Sequence, residues 1–513
     1  MLSTQPKTGR SGRNSTLHLS IMNAAPNLTE ILDRQWSLLI GGRLTPAISG
    51  RYYDDESPVT EEVIAAVPDA GPADVEAAVQ AAGPAAVAWR RVAARDRGAV
   101  VAELANVLER NAEELALLDA VDGGHPVTAM HADVAMAADT LRLFAGLAIE
   151  IKGATVPASA EHLHMTVREP FGVVGRIIPF NHPIMFAAGK IAAPLVAGNA
   201  VILKPPDSAP LSALRMGELF AGILPPGLLS VVVGGGPAAG RALVRHPAVR
   251  RIGFIGSDAT GRAIQGDAAE VGVKDITLEL GGKNALIAFD DADPDQVADG
   301  VVNGMNFARS AGQSCGSTSR LLLHESVADE VLDRVAQRMA EIRVGSPLDP
   351  DTEMGTLSSR PQYDKTLSYI GIGRDEGARL LAGGGRPPGL APGPGLFVAP
   401  TLFGGVRPEM RLAREEVFGP VLSALTWKSE DEAVRIANAV DFGLTASVWT
   451  NDLRRAHRVA AALEAGYVWI NGSSRHFTGV PFGGVKLSGV GREESLDELL
   501  SYTQLKTVNV MLG

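Results

Sequence analysis

Cys315 is the only cysteine among 513 residues, and it stands in the run Asn306-Phe-Ala-Arg-Ser-Ala-Gly-Gln-Ser-Cys-Gly-Ser-Thr-Ser-Arg320. A lone thiol forms no disulfide within its own chain. Its neighbours Gly312, Ser314, Gly316 and Ser317 carry little side-chain bulk, so the sulfur is poorly shielded. As a thiolate it is a strong nucleophile, provided a nearby group lowers its pKa or takes its proton. Alone, such a residue reads more readily as a small buried hydrophobe. The partners supplied by the rest of the chain raise the catalytic reading.

Glu279 lies in Leu278-Glu-Leu-Gly-Gly-Lys-Asn284. A carboxylate between two leucines is open to desolvation, which raises its pKa toward neutrality and fits it to take a proton from a thiol or from water. On its own it also reads as a strand-edge Glu facing solvent. Asn181, in Pro179-Phe-Asn-His-Pro183, sits on a backbone stiffened by two prolines. Its carboxamide can donate to a developing oxyanion together with the backbone N–H of Cys315, or it can be a turn Asn beside proline.

Three further stretches have the chemistry to hold a dinucleotide. Lys204-Pro-Pro-Asp207 ends an apolar run, where an ammonium and a carboxylate suit ribose hydroxyls. Gly256-Ser-Asp-Ala-Thr-Gly261 opens a helical pattern, and Ser257 with free N–H groups at a helix start suits a pyrophosphate. It is neither a G-x-G-x-x-G nor a Walker A sequence. Glu415-Glu-Val-Phe-Gly-Pro420 sets Glu416 and Phe418 two apart, on one face of an extended segment, with a carboxylate for a ribose and a ring for a flat heterocycle. Surface turns are the ordinary alternative for all three.

The elements that position these groups alternate. Gly172-Val-Val-Gly-Arg-Ile-Ile-Pro, Ala200-Val-Ile-Leu-Lys, Leu228-Leu-Ser-Val-Val-Val-Gly and Arg251-Ile-Gly-Phe-Ile-Gly are short apolar β runs separated by helical stretches. That rhythm predicts a parallel sheet with crossover helices, with ligands past the carboxyl ends of its strands. A second alternation begins at Ala285: strands at Thr318–Leu323, around Val448 and at Tyr467–Ile470, and a helix over Ser326–Glu341. Before the first sheet, Ser37–Arg43 reads as a short strand ending in a turn. Pro72–Arg97, Val100–Leu118 and His131–Ile149 read as helices. Ile151–Pro157 and Leu163–Pro170 alternate as a hairpin outside the helical part. Lys506–Leu512 is one more β run, to pair with that hairpin or with another subunit.

Composition bounds the function. Apolar residues make up 46% and charged residues 20%, with a net charge of −11, which argues against a nucleic-acid partner and weakly against an anionic membrane surface. No run of 18 apolar residues is present, so no membrane span is expected. One cysteine fits a reducing compartment, and a cytoplasmic location is the expectation. Residues 1–29 lack Asp and Glu and read as a disordered leader or an early start before Met22, with an organelle transit peptide as the alternative.

Taken in order, Pro-Phe-Asn, Lys-Pro-Pro-Asp, Phe-Ile-Gly-Ser, Glu-Leu-Gly-Gly-Lys, Gly-Gln-Ser-Cys, Glu-Glu-Val-Phe-Gly-Pro and Pro481-Phe-Gly-Gly-Val-Lys-Leu-Ser-Gly-Val-Gly-Arg-Glu493 resemble the aldehyde dehydrogenase superfamily from about residue 35 to the end. The resemblance implies an α/β fold with a Rossmann-type cofactor domain (30–150 and 169–281), an α/β catalytic domain (282–499) and a β-hairpin oligomerisation flap (151–168 and 500–513). It implies a thiohemiacetal and then a thioester on Cys315, an oxyanion held by Asn181, and water activated by Glu279. Lys190 and Glu493 match charged positions behind Glu279, as a proton relay or as a structural ion pair.

On the same resemblance Ile178, Pro179, Phe180, Lys204, Asp207, Gly240, Phe254, Gly256, Ser257, Leu280, Gly281, Glu416 and Phe418 would hold the cofactor. Phe186, Gly189, Ser314, His476 and Phe482 would line the substrate tunnel, and no metal is called for. Asp207, shorter than the family's usual Glu but still anionic, favours NAD over NADP. CoA-acylating relatives generally lack the water-activating Glu, so the expected product is the free acid. Gly189, where relatives often carry an aromatic or a basic residue, is expected to open the tunnel. Arg475 and His476 fall at its mouth, pointing to solvent or meeting a polar aldehyde. The resemblance also implies a homo-oligomer, a dimer or a dimer of dimers. A cofactor-independent thiol esterase and a catalytically silent binding protein on the same fold are the competing readings.

Overall fold

The computed structural model describes residues 28–390 and 392–512. The expected leader falls largely outside this range. Its last two residues, Leu28 and Thr29, open a helix over Leu28–Leu32, and Leu28 is fully buried.

The apolar runs form two sheets. In the first, five strands pair in parallel in the order Leu229–Val231, Ala200–Lys204, Val173–Ile177, Val249–Ile255, Asp275–Glu279. Strand order therefore reverses at Val173–Ile177, whose two neighbours, Ala200–Lys204 and Val249–Ile255, are the second and fourth of the five in sequence. A crevice opens beyond the carboxyl ends of the strands at such a reversal. Ile178 to Asn181 follow the Val173–Ile177 strand into that crevice, and Gly256 and Ser257 follow Val249–Ile255. The sheet is completed by the hairpin Leu38–Ile40 and Arg43–Thr45 on one edge and by Gly489–Val490 on the other.

The second sheet runs Arg379–Ala382, Thr401–Gly404, Val421–Trp427, Arg320–His324, Ala285–Ala288, Thr445–Trp449, Tyr467–Ile470. All of its pairings are parallel except the edge strand Arg379–Ala382. Each sheet has its own apolar core. Leu499 and Tyr502 pack in the core of the first. With the Gly489–Val490 strand, they bring the end of the chain back across the segment that the sequence reading gave to the second unit.

Two expectations about helices change. The pattern over Pro72–Arg97 breaks after Trp89, and a new helix runs Ala94–Arg110. The reason is tertiary. Trp89 Nε1 donates to Leu195 O and Arg97 Nε donates to Val196 O, so both side chains cap carbonyls at the end of the Pro183–Val196 helix. Val100–Leu118 is likewise interrupted at Asn111, whose side-chain amide donates to Val107 O. The third helix runs Val127–Gly146.

The terminal strand Thr503–Met511 pairs antiparallel with His162–Pro170, which also pairs with Thr155–Val156. Among the described residues no helix is long and apolar enough to cross a membrane.

Candidate active site

Cys315 sits beyond the short helix Phe307–Ser310, on a loop held from several sides. Ala311 and Gly312 take left-handed backbone conformations, with φ of 52° and 73°. A β-carbon on Gly312 would lie 2.5 Å from Gly419 O, so only glycine lets this loop touch the Glu415–Pro420 segment. Asn284 Nδ2 donates to Cys315 O at 2.7 Å and to Ser317 O at 2.9 Å. The buried Gln313 accepts from Ser358 N and Oγ. The backbone around the sulfur is thus fixed before any ligand arrives.

A cavity of about 130 Å³ opens at this thiol. Cys315, Glu279 and Asn181 share its wall with Pro179, Phe180 and Phe186. Ile255, Gly256, Ser257 and Gly281 form the side nearest the first sheet, and Gln362, Lys365, Glu416 and Phe418 close it from the second unit. Cys315, Glu279, Asn181 and the turn at Gly256–Ser257 therefore meet in one space, although they are scattered from 181 to 315 in the chain.

Glu279 ends the Asp275–Glu279 strand and is 4% exposed. Burial pushes its pKa up to about 8, with the Glu493 charge adding to the rise and the Cys315 thiol and Lys190 opposing it. Its Oε1 has no hydrogen-bond partner, and neither has Oδ1 of the buried Asn181. Two unsatisfied polar atoms facing one cavity are costly unless a ligand or water completes them. Burial, then the Glu279 charge, pushes the Cys315 thiol well above its ordinary pKa. The sulfur is therefore a thiol at rest, beside the carboxyl that can receive its proton.

Behind Glu279 lies a buried ion network. Lys190 Nζ is 2.8 Å from Glu493 Oε2, and Arg176 donates to Glu493 Oε1 at 2.6 Å. Burial opposes ionisation of Glu493, but Arg176 and Lys190 outweigh it and hold the carboxylate down to about 2. Lys190 in turn is held above its ordinary pKa: burial lowers it, and the charges of Glu493, Glu498 and Glu494 together more than compensate.

The cofactor positions divide into two groups. Pro179, Phe180, Gly256, Ser257, Gly281, Glu416 and Phe418 line the cavity. Phe418 does so on a kinked backbone rather than an extended one, with φ of 57°. This correction has a cause: Gln362 Nε2 donates to both Val417 O and Phe418 O and holds the strained turn. The Phe180 and Phe418 rings meet edge to face at 5.9 Å. Glu416 accepts from Gly282 N at 2.7 Å. Ser257 caps the Asp258–Ala269 helix by accepting from Thr260 N.

Lys204, Asp207 and Gly240 lie farther along the carboxyl edge of the first sheet. Lys204 is buried at the end of its strand, and burial lowers its pKa. Asp207 is exposed and accepts from Gly236 N through one oxygen, which leaves the other for a ribose. Gly240 has open space on its side-chain face. Ile178, Phe254 and Leu280 are buried and support the wall from behind. Space walled by rings, a helix start and unsatisfied polar atoms, with open space at Gly240 farther along the edge, fits a dinucleotide.

The tunnel positions separate too. Phe186 walls the cavity. Phe482 packs with Leu444, Tyr467 and Trp469 in a small cluster that Cys315 touches, and Ser314 is half-buried beside the sulfur. Gly189 does not open the cavity. It is buried against the Val127–Gly146 helix, where a β-carbon would meet Thr140 Cγ2 at 3.4 Å. His476 is engaged within the molecule: its Nδ1 lies 2.9 Å from Glu494 Oε2, and its ring packs on Phe482 at 4.5 Å. Arg475 lies over the Phe477 ring.

Sequence reasoning missed Gln362 and Lys365. They are three apart at the start of the Arg360–Asp375 helix and so share a face toward the cavity. That i, i+3 spacing after a helix start was the only signal available.

The chain matches the family model "Aldehyde dehydrogenase family" over residues 45–508. It is similar to aldehyde dehydrogenase tropH of Talaromyces stipitatus, 45% identical over 495 residues that cover 95% of this chain and 96% of that one. Among solved structures it is similar to PnpE from Pseudomonas sp. WBC-3, with 40% identity, a TM-score of 0.90 and coverage of 93% and 98% of the two chains. It is also similar to an NAD+ complex of an aldehyde dehydrogenase from Bacillus cereus, with 37% identity, a TM-score of 0.92 and coverage of 95% and 99%. With the motifs in order, two matching sheets and a cysteine, a buried acid and an amide around one cavity, the chain belongs to the aldehyde dehydrogenase family.

Proposed function

We propose that this aldehyde dehydrogenase oxidises its substrate on Cys315, with NAD+ as cofactor and the free acid as product. The observation that carries the reading is the single cavity shared by Cys315, Glu279, Asn181 and the Gly256–Ser257 turn. Glu279 takes the thiol proton as the sulfur adds to the aldehyde carbon. The thiohemiacetal oxyanion lies between the Asn181 carboxamide and the Cys315 backbone N–H. NAD+, when bound, would supply the hydride acceptor, and loss of hydride would leave a thioester on Cys315. Glu279, after passing the first proton to solvent, removes a second from water as the water adds to the thioester carbonyl, and collapse of that adduct releases the acid and the Cys315 thiolate.

Gly256 and Ser257 would hold the pyrophosphate, Lys204 and Asp207 the adenosine ribose, and Glu416 and Phe418 the nicotinamide end. The negative charge of Asp207 disfavours a 2′-phosphate and so favours NAD over NADP. Lys190 and Glu493 act through charge rather than as proton carriers, because each holds the other ionised across the working pH range. Phe186 in the cavity wall, with the Tyr467, Trp469 and Phe482 cluster against Cys315, favours an aromatic or bulky apolar aldehyde.

The flap favours a homo-oligomer. One face of its sheet carries Leu163, Met165, Val167, Val508 and Val510 in register, and Leu163 and Val167 are exposed in the single chain. The test is NADH formation from purified protein with aliphatic, aromatic and carboxylated aldehydes, using NAD+ and NADP+ in parallel. Turnover with NAD+ and aromatic aldehydes supports the reading. Absence of NADH across the panel while Cys315 remains reduced and titratable would sink it.

A further inference from the structure

The oxyanion loop and the nucleophile loop come from different units, and one buried carboxylate joins them. Asp133, on the Val127–Gly146 helix, is 0% exposed. Its Oδ2 lies 2.6 Å from His182 Nδ1, and His182 is the residue after Asn181. Its Oδ1 accepts from the Arg309 guanidinium at 2.8 Å, and Arg309 belongs to the short helix that leads into the Cys315 loop. Burial alone would push this carboxyl up, but His182 and Arg309 reverse that and leave it below its ordinary range, hence ionised. The nearby His125 is fully buried and pushed down to about 4, so it adds no charge.

A fully buried carboxylate with one oxygen committed to each loop fixes their separation. Removing either partner leaves a buried charge short of a hydrogen bond, so both loops are held to one arrangement. We propose that Asp133 is a positioning residue for aldehyde oxidation, tying the Asn181 loop to the Cys315 loop so that donor and nucleophile reach the same carbonyl. The inference rests on the reading of Asn181 as the oxyanion donor.

The test is a double-mutant cycle on the full-length enzyme, reading single-turnover NADH formation and NAD+ affinity. Asn181→Ala should lower the rate by about 10²–10³-fold. Asp133→Asn should lower it by about 10–100-fold through misplacement of the reacting groups, with NAD+ affinity changed by less than about twofold. In the Asn181→Ala background, Asp133→Asn should cost at most about twofold more, because the two act as one unit. Should Asp133→Asn not accumulate as folded protein, Arg309→Gln carries the same cycle, its side chain being 40% exposed.

Penalties that multiply in the double variant, or an Asp133→Asn enzyme (or Arg309→Gln in its place) at the wild-type rate, would overturn the inference and leave the Asn181 assignment intact. An Asn181→Ala enzyme at full rate would overturn that assignment and this inference together.

Discussion

At the scale of residues, the site works by a division of charge. Glu279, pushed up to about 8, is close to half-ionised in mildly alkaline solution, whereas Glu493 stays ionised throughout. The hydrolytic step needs the Glu279 carboxylate, so the deacylation rate should rise with pH through about 8 and level off above it, as measured by turnover after the NADH burst. Glu493→Gln removes a negative charge that raises Glu279, so the midpoint should move to lower pH. An unchanged midpoint would disconnect the two groups. Glu279→Gln removes the acceptor of the thiol proton as well as the base for water, so it should slow the NADH burst and lower steady turnover by about 10²–10⁴-fold. The same substitution carries a stability signature. A carboxyl raised in the folded state binds a proton that the unfolded chain has released, so stability falls as pH rises from the ordinary carboxylate range to about 8. The Tm of the Glu279→Gln protein should lack that part of the slope.

At the scale of elements, the cavity depends on segments that pay little attention to their own propensities. Phe418 stands at positive φ because the start of the Arg360–Asp375 helix supplies Gln362 to both carbonyls beside it. Gln362→Ala removes two hydrogen bonds worth roughly 1 kcal/mol each. The KM for NAD+ should rise about tenfold, with the rate of hydride transfer at saturating cofactor little changed. A KM that stays put while kcat falls would show that Phe418 serves the chemistry rather than the cofactor. Gln362 lies on the helix that follows the Cys315 loop in space through Ser358 and Gln313, so cofactor wall and nucleophile share one support.

At the scale of the whole molecule, the flap is the part that cannot satisfy itself. A three-stranded sheet with an apolar face and little packed against it is unstable in water unless that face is covered. The double substitution Leu163→Glu with Val167→Glu places two charges on the face. Sedimentation at micromolar concentration should then show a monomer in place of an oligomer. A wild-type chain that already sediments as a monomer would refute the arrangement. The end of the chain adds a second constraint: the Gly489–Val490 strand and Tyr502 return to the first unit, where Tyr502 accepts from Arg176. Glu493 lies between them, so the charge behind Glu279 is held by the element that also carries the chain out to the flap.

The chain's own order of residues determined much of this protein. The β runs at 172–179, 200–204, 228–234 and 251–256 were legible because buried parallel strands are nearly continuous apolar segments. Cys315, Glu279 and Asn181 were singled out together by the order of their motifs, since the local context of each alone also suits a buried thiol, a strand-edge acid or a turn amide. Gln362 and Lys365 were hidden, since a polar pair three apart on a helix looks the same whether it faces water or a cavity. Asp133, His182 and Arg309 were hidden for a stronger reason: no local pattern marks a carboxylate that is buried only when three distant segments close around it. The same holds for the helix break after Trp89, the kink at Phe418, the filling of the space at Gly189 by Thr140 and the turning of His476 toward Glu494. Propensity and periodicity act over a few neighbours, whereas desolvation and charge pairing are properties of the closed tertiary structure, and these set the ionisation of Glu279, Glu493 and Asp133.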